Sequence, residues 1–125
     1  MPDLEVTLHD EGGISVVSAA GDVDVTTAPR LRDALDRVLA TGQSRVVIDL
    51  RGVPFMDSTG LGVLVGRLKV VRARRGSMRI VATSSRMLRV LSITGLDTVF
   101  PLHASVSEAL ASCLLDAAPE GRGSE

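Results

Sequence analysis

Val46-Val47-Ile48-Asp49-Leu50, then Arg51-Gly52-Val53-Pro54-Phe55-Met56, then Asp57-Ser58-Thr59-Gly60-Leu61-Gly62, is the stretch from which the rest of the chain is read. A continuous apolar run rich in β-branched residues is the pattern of a strand buried on both faces. The Gly/Pro segment ends that strand, and Asp-Ser-Thr-Gly opens an amphipathic helix. A serine is thereby presented at a helix start just past a strand's carboxyl end. In α/β proteins ligands and partners usually meet the fold at that edge of the sheet.

Working outward toward the amino terminus, Leu4, Val6 and Leu8 alternate with polar neighbours, and Asp10-Glu11-Gly12-Gly13 turns the chain into a second strand over 14–20. The two are expected to form an antiparallel hairpin. Thr26-Thr27-Ala28-Pro29 supplies a threonine cap and an early proline for a helix carrying Leu31, Leu35, Val38 and Leu39 at helical spacing. Arg32/Asp36 and Asp33/Arg37 are expected to pair along its outer face, and Gly42 stops it.

Toward the carboxyl terminus the serine helix runs over about 58–74, and residues 78–82 form a further strand. Ser84 or Ser85 caps a helix carrying Met87, Leu88, Val90 and Leu91, ended by Thr94-Gly95. Residues 99–102 read as short and extended. Ser105 and Glu108 have capping-box spacing and open a last helix to about Leu115. The expected order is ββαβαβαβα: one α/β domain over 1–116 with a mixed sheet, and a disordered tail over 117–125.

The chain has 125 residues, enough for one core, and 45 % are hydrophobic but only 2 % aromatic, so that core is aliphatic, with Phe55 and Phe100 as its only large rings. The formal net charge of −1 gives no bulk drive toward nucleic acid or an anionic membrane. No apolar run approaches the roughly 18 residues of a membrane span. One cysteine, Cys113, excludes an internal disulfide, and the first residues lack the basic and apolar regions of a signal peptide. A cytoplasmic protein is expected.

At about 100° per residue, Leu61, Leu64, Val65, Leu68 and Val71 share an apolar arc that should face the sheet, while Ser58, Gly62, Gly66, Lys69 and Ala73 share another. A helical glycine costs about 0.5–1 kcal/mol relative to alanine, so Gly60, Gly62 and Gly66 need a compensating reason. Two are open: close packing against another helix of the domain, or close approach of a partner's backbone. Asp57 is a natural N-cap. Ser58 either assists that cap or accepts a phosphate, whose charge of about −1.5 to −2 the helix start tolerates. Asp22 and Asp24 are expected at the same edge, and Lys69 lies about 16 Å along the helix. A phosphate against a partner here would be repelled and would switch binding off.

Gly21-Asp22-Val23-Asp24, Val47-Ile48-Asp49-Leu50, the segment from Val53 through Asp57-Ser58-Thr59-Gly60-Leu61-Gly62, and Ile93-Thr94-Gly95-Leu96 with Val99-Phe100 together resemble the STAS-domain anti-sigma factor antagonists, especially actinobacterial members. The resemblance covers nearly the whole chain. It implies partner switching: an unphosphorylated antagonist binds an anti-sigma factor with a histidine-kinase-like ATPase domain and frees the sigma factor. It further implies that this kinase phosphorylates the serine matching Ser58 and that a PP2C-type serine phosphatase restores it. ATP belongs to the partner, so no cofactor of this chain is implied. Asp24 and Asp57 match acidic positions near the family's contact surface, and Asp22, Asp24, Asp57, Thr59, Gly60, Gly62 and Gly66 make up the expected partner-binding set. An alternative within the same fold is a structural or transport-associated binding subunit without serine phosphorylation.

Catalysis finds no support in the residue inventory. A serine nucleophile needs a base, and His9 and His103 are both remote from Ser58 in sequence. Met56-Asp57-Ser58-Thr59-Gly60 lacks the first glycine of a nucleophile elbow. Two separated histidines and one cysteine do not make a metal site. Arg72, Arg74, Arg75 and Arg79 form a basic cluster without aromatic stacking residues, read as a solvated helix end rather than a nucleic-acid surface.

Overall fold

A computed structural model describes the backbone of residues 4–122 and the side chains of 4–115. The elements are β1 (Glu5–Glu11), β2 (Ile14–Ala20), α1 (Ala28–Ala40), β3 (Arg45–Gly52), α2 (Ser58–Ala73), β4 (Ser77–Val81), α3 (Ser85–Ile93), a 3-10 turn (Leu96–Thr98), β5 (Leu102–His103) and α4 (Val106–Arg122). The ββαβαβαβα order is as expected. Strands follow one another across the sheet in chain order; β1 is antiparallel to β2, and β2 through β5 are parallel.

Sequential parallel strands joined by right-handed crossovers must place every crossover helix on one face. Accordingly Leu31 and Leu35 of α1, Leu64, Leu68 and Val71 of α2, and Met87 and Leu91 of α3 share one buried cluster with Val17, Ile48 and Ile80. The other face holds a smaller cluster in which Ala109 and Cys113 of α4 cover Ile14, Val16, Val47 and Val81. The central strand β3 is buried on both faces from Val46 to Leu50, as its unbroken apolar run requires.

Several local expectations change. Thr27 precedes α1, but its side chain does not cap the helix; buried, it turns inward and donates to the Asp22 carbonyl at 2.8 Å. The Asp24 carboxylate takes over the turn instead, accepting from the backbone N–H of Thr26 at 2.9 Å and of Thr27 at 3.0 Å. The pairs expected along α1 do not form: Asp36 reaches across to Arg67 of α2 in a bidentate pair at 2.9 Å, and Asp33 lies 3.5 Å from its neighbour Arg32. Two planar contacts from a guanidinium offer more than a flexible i, i+4 pair. The extended piece is displaced to Leu102–His103, because Gly95, at φ 77°, starts the 3-10 turn that occupies Leu96–Thr98.

Ser84 caps α3 through the Met87 N–H at 3.0 Å, and Ser105 accepts from the Glu108 N–H at 3.1 Å to open α4. That last helix passes Leu115 and continues to Arg122, through part of the segment expected as a tail; Ala117 and Ala118 are strong helix formers. Residues 123–125 of that expected tail lie outside the described residues. Phe100 is buried as expected, but Phe55 is only half-buried and belongs to the surface. The basic cluster disperses: Arg72 donates to the Val99 carbonyl, Arg74 to the Leu39 carbonyl, and Arg79 is buried beside His103. Among the described residues no helix is long and apolar enough to cross a membrane.

Candidate functional site

The loops after β2 and β3 are stitched together. Gly21 N–H donates to the Gly52 carbonyl at 2.9 Å, Val23 N–H to Phe55 at 3.0 Å, and Asp57 N–H to Val23 at 3.0 Å. Val23 and Met56 form a parallel bridge there, and both are buried. This short extension of the sheet puts the acidic loop carrying Asp22 and Asp24 beside Asp57 and Ser58, as the sequence led one to expect.

Asp57 has extended backbone and caps α2, its carboxylate accepting from the N–H of Thr59 at 2.9 Å and of Gly60 at 3.3 Å. Ser58 is the first helical residue and is exposed, as is Thr59. Among the described residues the Ser58 hydroxyl takes no part in a hydrogen bond. The cap is therefore complete without it, and the reading of Ser58 as a capping assistant falls away. Asp22 is exposed. Asp24 is committed to its own turn, and the N–H of Thr27 above all holds its carboxyl below the usual range.

The glycines of α2 separate into two kinds. A Cβ at Gly60 would lie 2.6 Å from Met56 Cγ and 2.6 Å from Val23 Cγ1, so Gly60 is buried and lets the helix start close over the stitched loops. The absence of a side chain at Gly60 thus has a reason inside the domain. A Cβ at Gly62 or Gly66 would meet nothing within 4 Å. Close packing inside the domain does not explain these two, and the flank they form beside Ser58 is open. Leu64, Leu68 and Val71 are buried on the opposite side, whereas Val70 is 39 % exposed.

Sequence reasoning missed one residue at this edge. Reading cations along the chain reached only as far as Lys69, but the fold brings Arg86 at the start of α3 over the Phe55 ring, 5.4 Å from its centroid. The signal was weak: a solvent-side arginine following a capping serine carries no information on which loop it will touch.

Among the described residues no group of three or more His, Cys, Asp or Glu is placed to hold a metal ion. His103, on β5, lies with Arg79 at 3.3 Å; burial first, and the Arg79 charge second, hold its pKa below the ordinary histidine value.

Comparison with known proteins agrees with this geometry. The STAS domain matches residues 5–109. The anti-sigma-B factor antagonist of Bacillus subtilis is 41 % identical over 88 residues, covering 70 % of this chain and 80 % of that protein. The anti-sigma-F factor antagonist RsfB of Mycobacterium tuberculosis is 34 % identical over 110 residues, covering 87 % of this chain and 89 % of its own length. The crystal structure of an anti-sigma factor antagonist from Mycobacterium paratuberculosis superposes with a TM-score of 0.83 at 34 % identity, covering 89 % of this chain and 94 % of the other. STAS anti-sigma factor antagonists are binding proteins rather than enzymes. The chain belongs to the STAS domain family, and the relatives compared above are anti-sigma factor antagonists.

Proposed function

We propose that this chain is an anti-sigma factor antagonist that binds an anti-sigma factor kinase through the edge formed by Asp22, Asp24, Asp57 and Thr59 and the open flank of Gly62 and Gly66, and that phosphorylation of Ser58 ends the binding. The observation that carries the reading is an exposed hydroxyl without a hydrogen bond at the first position of α2, capped independently by Asp57. Phosphorylation there leaves the cap, the stitched loops and the core as they are. The charge falls beside Asp57 and near the acidic loop, so a partner closing over it meets an anion among carboxylates and loses affinity steeply, tenfold for each 1.4 kcal/mol. In this scheme the protein is substrate and ligand, ATP is the partner's, and a PP2C-type phosphatase resets Ser58 in the cytoplasm.

The test is intact-protein mass after incubation with ATP and an anti-sigma factor kinase. One added phosphate, absent in Ser58→Ala, supports the acceptor. An unchanged mass, or a phosphate that persists in Ser58→Ala, contradicts it.

A further inference from the structure

The sheet ends differently on its two sides. β5 closes one side with two residues, Leu102–His103, and a very short edge strand offers little to pair with. β1 closes the other with seven, matched one to one with β2, without a bulge or a proline. Gly12 and Gly13, at φ 60° and 87°, make the two-residue turn of this hairpin, so Glu11 and Ile14 are the hydrogen-bonded pair that closes it. Bonded and non-bonded pairs alternate along an antiparallel ladder. Glu5, Thr7 and His9 are therefore bonded to β2, while Leu4, Val6, Leu8 and Asp10 direct their N–H and C=O groups away from it. At one end that outward direction is visible, because Arg30 Nη1 of α1 donates to the Leu4 carbonyl at 3.1 Å. Among the described residues β2 is the only strand paired with β1.

α1 runs beside this edge and makes a groove of it. A cleft of about 490 Å³ lies between residues 4–8 and Arg30, Ala34 and Arg37 of α1; a second, of about 290 Å³, continues past Leu8 and Asp10 along Arg37 to Thr41. Val6, half-buried, and Leu8, 36 % exposed, belong to this side of the sheet. Glu5 and Thr7 alternate to the other face, where they line a separate hollow with Ser18 and Asp49. Asp10 is engaged by the turn, accepting from the Gly13 N–H at 3.2 Å, and Asp33 lies 3.5 Å from Arg32. Arg30 and Arg37 are both exposed, and neither is ion-paired among the described residues. The groove is thus apolar along β1 and cationic along α1.

We propose that this edge is a second binding surface, on which an extended segment of a partner protein adds a strand beside β1 and turns acidic side chains toward Arg30 and Arg37. Main-chain hydrogen bonds to Val6 and Leu8 hold the segment, and the two arginines select it by charge. Arg30 stands at Leu4, and Arg37 lines both clefts with Leu8. The arginines are about 10.5 Å apart along α1, and acids four residues apart in a strand are separated by about 14 Å, a difference that long side chains absorb. A second copy of the chain fits less well. The register that pairs all seven residues of two antiparallel β1 strands sets Glu5 opposite Glu11 at both ends, and like charges directly opposite are destabilising. β2 separates this edge from β3, the strand that leads to Ser58, so the proposal does not rest on the reading of Ser58.

The test titrates the whole chain with an end-blocked peptide, Thr-Glu-Thr-Val-Thr-Glu-Thr, and with a counterpart carrying lysine in place of both glutamates. The acidic peptide should bind at least about tenfold more tightly than the lysine peptide. Its binding should slow amide exchange at Val6 and Leu8 but not at Thr7 and His9, which β2 already protects. Leu8→Pro removes an outward N–H without removing a bond to β2 and should abolish binding. Arg37→Glu, at an exposed position of α1, leaves β1 intact and should reverse the preference between the two peptides, a result that stands even where the proline variant fails to fold. Failure of the acidic peptide to bind, equal binding of the two peptides, undiminished binding by folded Leu8→Pro, or exchange at Val6 and Leu8 indifferent to the peptide overturns the proposal. So does a dimer of the chain alone, seen in sedimentation and dissolved by Leu8→Pro, which gives the edge to a second copy.

Discussion

On one flank of α2 a Cβ added at Gly60 would press against Met56 and Val23 at 2.6 Å; on another, two and six residues further along, a Cβ at Gly62 or Gly66 would meet nothing within 4 Å. All three glycines cost the helix a similar amount of conformational entropy. For Gly60 the domain itself recovers that cost, because its absent side chain lets α2 close over the bridge between Val23 and Met56 that aligns the two loops. For Gly62 and Gly66 no such contact lies among the described residues; on the proposed function it is made with the partner. Residue type is thus no guide to role here; the neighbour that would be struck is.

The sharpest way to break this contrast is substitution by alanine. Gly60→Ala should lower stability by about 1–3 kcal/mol through overpacking, read by chemical denaturation. A neutral result would mean that the stitched loops give way, and that Gly60 does not hold the edge in place. Asp57→Ala should cost about 1 kcal/mol through loss of the cap, while leaving Ser58 at the helix start; a loss well below this would show the Thr59 and Gly60 amides finding other partners. Gly62→Ala and Gly66→Ala should instead raise stability by about 0.5–1 kcal/mol each, and on the proposed function both should weaken binding to the kinase. Stabilisation without loss of affinity would remove the open flank from the interface.

The smallest effect concerns the third side of α2, where Arg67 pairs with Asp36 of α1. The Arg67 hydrogen bond is the main cause of Asp36's pKa falling below its ordinary 3.8. A depressed carboxylate contributes stability that is fully present above pH 3.8 and is lost as pH falls through the lower, folded-state value. With Asp36 half exposed, screening limits the pair to about 0.5 kcal/mol. Arg67→Ala should show that deficit at neutral pH and approach the natural chain in acid; a deficit that grows in acid would contradict the pairing.

Much of the architecture was legible because turn chemistry punctuates the chain. Gly12-Gly13, Gly42 and Gly95 all take positive φ, and Asp57, Ser84 and Ser105 all cap the helices that follow. Those signals are local, and so is the reading of Ser58 as exposed at a helix start. What failed was non-local. Asp36 prefers a guanidinium on another helix, Phe55 is covered by an arginine from α3, and Gly60 differs from Gly62 only through Met56 and Val23. A helical wheel registers the direction in which a residue points and is silent about what waits there. For the same reason the wheel grouped Gly62 and Gly66 with Ser58 correctly while leaving open whether a neighbouring helix filled the space beside them.

The central claim is that one hydroxyl changes what the edge can bind without changing the fold. It is tested most directly by titrating an anti-sigma factor kinase with this chain carrying serine or phosphoserine at position 58, the two forms having first been shown to be equally folded. Affinity at least tenfold weaker for phosphoserine, about 1.4 kcal/mol or more, is the predicted result; equal affinity for the two forms would contradict it.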